Sequence, residues 1–277
     1  MSTATYTVDA ATHLTDIAPS VRTPRIRRLA KAEWTKLRTL PSTWRTVVMS
    51  VVISVALGAI LCVSQVQQWS KMTAGQRQTF DPTACSLFGV VFVGAVLLAA
   101  LGVRAVTAEY ATGMIRSTFA ATPTRRRVLA AKAGVTAAFV FPVALITAVV
   151  SFEVGQRIFA GKHLEVSFAH PGVVQAVVFG ALAVSLIAVI GVGIGGLIRH
   201  TAAATTALVL VIVGGVTLGQ LLPAGLRQYV PGTALEAAVT VNHSAGLLRP
   251  GNAVVVLGVY AAVALATASV RMSHRDA

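Results

Sequence analysis

Long apolar runs constrain this chain more than any motif in it. Thr46 to Val66 reads TVVMSVVISVALGAILCVSQV, with no acidic or basic residue inside. A helix of that length spans roughly 30 Å, the thickness of a bilayer's hydrocarbon core. Six stretches meet the requirement: 46–66, 85–106, 128–152, 173–198, 202–222 and 252–270. Within hydrocarbon each backbone polar group must be satisfied inside its own segment, so such runs fold as helices. Of the 277 residues, 55% are hydrophobic and 12% charged, about half the charge of an ordinary soluble domain. The sequence therefore predicts an all-α membrane protein with six transmembrane helices, and excludes a soluble domain or a disordered chain.

Charge sets the expected orientation. The segments 1–45, 104–132, 199–201 and 271–277 together hold 17 of the 23 Lys and Arg residues. By the positive-inside rule these lie on one side, and both termini are cytoplasmic. Residues 1–23 hold eight Ser/Thr and no apolar core, which reads as a disordered polar tail rather than a cleavable leader. Residues 24–41 read as an interfacial helix, 42–270 as the transmembrane domain and 271–277 as a cytoplasmic tail. A net charge of +14 in a soluble protein would suggest nucleic acid. Here the basic residues flank apolar runs, so topology and anionic lipids account for them and no nucleic-acid partner is expected. Arg27, Arg28 and Lys31, and again Arg125, Arg126 and Arg127, are read as topogenic and interfacial.

Motifs for bond chemistry do not survive their context. Gly191-Val192-Gly193-Ile194-Gly195-Gly196 spells G-x-G-x-x-G but ends an apolar run rather than opening a helix after a strand. Close helix packing is the expected use of these glycines. The only Gly-Lys pair, Gly161-Lys162, is followed by His163, so no phosphate-binding loop exists. Six histidines are scattered and the two cysteines, Cys62 and Cys85, are expected as buried thiols or as one disulfide. No catalytic, cofactor-binding or metal-binding residue is predicted, and the chain is not expected to be an enzyme. Arg104, Lys132 and Glu153 fall near predicted helix ends, where snorkelling would carry them to the interface. The absence of midplane charge weighs against an ion-driven carrier. Between Pro223 and Pro250, TALEAAVTV (233–241) reads either as a re-entrant helix or as part of an external loop.

Two basic-side segments carry more information. In 24–40, Ile26, Ala30, Trp34, Leu37 and Pro41 recur at helical spacing, with Leu29 and Leu40 beside them, which predicts an amphipathic helix with Trp34 at headgroup level. Glu33 faces anionic lipid unfavourably there, which points to a protein partner. In 108–132, Thr122-Pro123-Thr124 breaks the chain, so 109–120 is expected to form one short helix, with Gly113 allowing a close approach.

These segments carry a family resemblance. Glu33-Trp34-Thr35-Lys36-Leu37-Arg38 resembles the entry element of type-2 ATP-binding-cassette (ABC) permeases, especially those of high-GC Gram-positive bacteria. Glu109-Tyr110-Ala111-Thr112-Gly113-Met114-Ile115-Arg116-Ser117-Thr118, with Pro123, Arg125–Arg127 and Lys132, resembles the same family's coupling segment. Met114 stands where that family often has Thr. The layout matches over about 24–270. The resemblance implies the permease subunit of an ABC exporter in a bacterial cytoplasmic membrane. It would dimerise, as a homodimer in preference to a heterodimer, and bind two copies of a separate ATPase subunit that holds ATP and Mg. It assigns ATPase coupling to Glu33, Trp34, Glu109, Gly113, Arg116 and Thr118, with Glu109→Lys or Gly113→Trp expected to leave expression intact and to uncouple ATP hydrolysis from transport. The alternatives are an ATP-independent carrier or channel, or a non-transport membrane immunity or scaffold protein.

Overall fold

A computed structural model describes residues 26–121, 124–242 and 246–274. The expected N-terminal tail, residues 275–277, Pro123 and the start of the interfacial segment lie outside those residues, whereas 271–274, expected as tail, are helical. Every regular element described is helical. The helices are α1 (Ile26–Thr39), α2 (Pro41–Gln68), the short α3 (Ala74–Gln78), α4 (Pro82–Ala111), α5 (Met114–Ala121) and α6 (Arg125–Ala160). They are followed by α7 (Val173–Ile198), α8 (Thr201–Gly219), the short α9 (Ala224–Arg227), α10 (Pro231–Val239) and α11 (Pro250–His274).

Five helices, α2, α4, α6, α7 and α11, are long and apolar enough to cross a membrane. Over the expected fifth span, 202–222, the chain is helical from Thr201 to Gly219 as α8, with a π-helical turn at Leu210–Gly214. A matching π-helical turn, Val90–Gly94, interrupts α4. The interfacial helix, expected to run to 41, ends at Thr39. Pro41 forces Leu40 into extended backbone (φ −78°, ψ 119°) and opens α2 at its first turn, where a missing N–H costs nothing. The Trp44 indole donates to the Arg38 carbonyl at 3.0 Å, closing the corner between α1 and α2.

At the centre stands α7, with 72% of its most apolar stretch buried against 28% for α2 and 22% for α11. It packs on α4, α6 and α11, while α2 packs on α6 and α4. The glycines of the G-x-G-x-x-G run lie in these contacts. A side chain at Gly191 would sit 2.6 Å from the Ala99 carbonyl of α4, and one at Gly102 of α4 would overlap the Ala188 carbonyl of α7. Close backbone approach between helices is how apolar segments gain contact where lipid removes the hydrophobic drive. On the outer helices Val48, Val52, Ile60, Val255, Val259 and Val263 are exposed, the surface that hydrocarbon would cover.

The two ends of the bundle differ. One is basic and gathers α1, α5, the start of α6 and the α7–α8 turn. There Arg199 takes a left-handed conformation (φ 62°) and lays its guanidinium 4.9 Å from the centre of the Tyr110 ring. At the opposite, distal end Cys62 and Cys85 are free thiols with sulfurs 3.8 Å apart. The segment read as re-entrant helix or loop forms α10, a helix buried at every residue except Glu236.

Candidate coupling site at the basic end

Three elements bring four charges together. Glu33 and Lys36, one helical turn apart on α1, meet Glu109 in the last turn of α4 and Lys132, two turns into α6. Lys36 Nζ lies 2.9 Å from Glu33 Oε1 and 2.7 Å from Glu109 Oε1. Lys132 Nζ lies 2.9 Å from Glu33 Oε2 and 2.7 Å from Glu109 Oε1. The result is a closed ring of two carboxylates and two ammoniums with no net charge. Its side chains are 2% exposed at Lys132, 8% at Glu109, 12% at Glu33 and 41% at Lys36, so three of the four are shielded from water. Burial works against the charge on Lys36, yet the hydrogen bonds and fields of Glu109 and Glu33 together raise its pKa. Glu109 Oε2 is buried without a hydrogen-bond partner.

Buried charges persist only when paired, because desolvation costs several kcal/mol per ion. The ring therefore acts as a clasp that holds α1 across α4 and α6. Trp34 adds an apolar contact to it, with its ring edge-on to Phe139 of α6 at 5.9 Å, and Trp44 meets the same ring at 6.1 Å. Beside the clasp an apolar cavity of about 310 Å³ opens between α1 and α4, lined by Leu37, Leu40, Leu101 and Ala105 and rimmed by Met114.

The expected single helix over 109–120 is corrected. Glu109 belongs to α4, and the chain turns at Gly113 (φ 72°) before α5 begins. Only glycine adopts that left-handed conformation without strain. No atom lies within 4 Å of where its Cβ would be, so Gly113 serves a turn rather than a close approach. Residue α5 Ile115 is buried, while Met114 and Arg116 are exposed. Thr118 is half-buried and donates to the Met114 carbonyl at 3.1 Å.

The candidate residues thus separate into two groups. Glu33 and Glu109 are engaged inside the chain, which corrects the reading of Glu33 as facing lipid or a partner, while Trp34 is exposed beside Phe139. Arg116 is presented outward, on a helix joined to the clasp through Gly113. Arg27, Arg28, Lys31, Arg126 and Arg127 are exposed, whereas Arg125 is half-buried and donates to the Met272 carbonyl of α11. Lys132 was expected to snorkel and instead is the most buried member of the clasp. Its placement inside AAKAGVTAAF, with only small and apolar neighbours, was the sign of a paired charge. Among the described residues no group of three or more His, Cys, Asp or Glu is placed to hold a metal.

A bundle of long apolar helices with a clasped amphipathic helix and an outward short helix at its basic end has the architecture of a multi-pass membrane protein. Residues 29–223 match the family model described as ABC-2 family transporter protein, which covers more than half of the chain. The protein belongs to that family and is a membrane permease of an ABC transporter. No curated protein and no solved structure matches the chain.

Proposed function

We propose that this chain is the permease subunit of an ABC exporter in a bacterial cytoplasmic membrane, working as a homodimer with two copies of a separate ATPase that holds ATP and Mg. In this reading α8 is the fifth of six spans, both termini are cytoplasmic, and α5 is the coupling helix. The observation that carries it is the junction at Gly113. An outward helix bearing Arg116 is joined directly to α4, and the clasp ties the same end of α4 to α1 and α6. A push on α5 would therefore reach three helices at once, which is the rigid connection that rocking of a packed bundle requires.

The test is co-purification of the full chain from its host in mild detergent, with ATP and magnesium present. A stoichiometric soluble subunit carrying a phosphate-binding loop supports the proposal. Arg116→Glu should reduce recovery of that subunit, and the ATPase rate of the reconstituted complex, by about tenfold, with the thermal stability of the permease unchanged because the side chain is exposed. Absence of any nucleotide-binding subunit, together with flux driven by an ion gradient alone, would overturn the ATPase pairing.

A further inference from the structure

The distal end holds a second built site that the coupling reading does not use. A cavity of about 470 Å³ lies between α2, the start of α4 and α10, within the size range of small-molecule pockets. Leu61, Val91 and Val239 form apolar wall, and Phe88 and Phe92 stack with ring centroids 4.5 Å apart. Two carboxylates line it, Asp81 and Glu236, and among the described lining residues there is no lysine, arginine or histidine. That runs against a chain with 23 Lys and Arg and nine Asp and Glu.

The two acids differ in what they are free to do. Asp81 is committed: Oδ1 accepts from the Thr83 and Ala84 amides at the start of α4, and Oδ2 accepts from the Val241 and Asn242 amides just beyond α10 at 2.6 and 2.9 Å. It fixes α10 against α4 and so holds the cavity's shape. Glu236 is the sole residue of α10 that is not buried, and its carboxylate makes no hydrogen bond or ion pair with any described residue. Burial pushes its pKa up, partly offset by the field of Arg227. An exposed carboxylate on the lining of an apolar cavity, held by no direct ion pair, attracts an arriving cation. Aromatic faces add cation–π attraction, and the apolar walls need an apolar body to cover them.

We infer that this cavity binds a soluble organic monocation with an apolar body, with Glu236 as its counter-ion and Phe88 and Phe92 as its wall. The site is complete within one chain, so the inference stands apart from the ATPase pairing and can fail without it.

The experiment uses the purified full chain in an uncharged detergent, with radiolabelled tetraphenylphosphonium as probe in equilibrium dialysis. Saturable binding of one probe per chain is expected, undisturbed by the anionic isostere tetraphenylborate and by a short-chain phosphatidylcholine. Glu236→Gln should weaken it by about tenfold or more. Glu165→Gln, at an exposed acid outside the cavity, should leave it unchanged. Phe88→Ala, at a ring already 39% exposed, should weaken it several-fold, and it provides a second readout if the Glu236 variant does not fold. Equal affinity in Glu236→Gln and the parent, displacement by tetraphenylborate, or absence of saturable binding would each overturn the inference. Displacement by the phosphatidylcholine would replace the soluble cation with a lipid headgroup, and would overturn it as stated.

Discussion

Lys132 shows how one residue's role depends on depth. Its ammonium is 2% exposed and contacts Glu33 and Glu109 at 2.9 and 2.7 Å. Removing it leaves two carboxylates facing one partly exposed lysine. Lys132→Met should therefore cost about 3–5 kcal/mol, the range found when one partner of a buried pair is lost. Adding Glu109→Gln to that variant should recover part of the loss, and thermal unfolding of the single and double variants in detergent measures the coupling. A Lys132→Met chain as stable as the parent would show that the clasp contributes nothing. The same geometry revises the expectation for Glu109→Lys. That substitution sets a third ammonium among two others at an 8% exposed site, so it should impair folding before it can report on coupling.

At the scale of elements, the connection from α4 to α5 governs how the outward helix is aimed. Gly113 holds φ 72° with open space around it, so a substitution is resisted by backbone conformation alone. Gly113→Ala should cost about 1–2 kcal/mol, and Gly113→Asn less, since asparagine tolerates the left-handed region. Hydrogen exchange across 108–118 should rise in the same order. The existence of α1 was legible in its apolar spacing, and the presence of a short helix before the basic cluster was legible from the break at Thr122-Pro123-Thr124. The placement of Glu109 was not. Nothing in local sequence distinguishes a span that ends at Ala111 from one that ends earlier, because the partners that bury Glu109 lie 73 and 23 residues away.

For the whole molecule, the central helix α7 sets the spacing of everything around it. Gly102→Ala places a methyl against the Ala188 carbonyl at a fully buried contact, where neither backbone can move without repacking. It should destabilise the bundle by about 1–3 kcal/mol, read as a lower unfolding temperature, whereas the same change at Gly134, which has no atom within 4 Å of its Cβ position, should be close to neutral. The sequence by itself determined the class of the fold. Apolar runs of about 20 residues have one stable form in hydrocarbon, and that constraint is local to each segment. It also marked the basic segments that carry the clasp and the outward helix. Only tertiary structure decided that Glu33 and Glu109 share two lysines, that π-helical turns interrupt α4 and α8, and that Glu236 alone among the residues of α10 is exposed. Each of those depends on which helices touch. In this chain, where most apolar faces look alike, that is settled by small-residue contacts and by a few charges that pair across large separations in sequence.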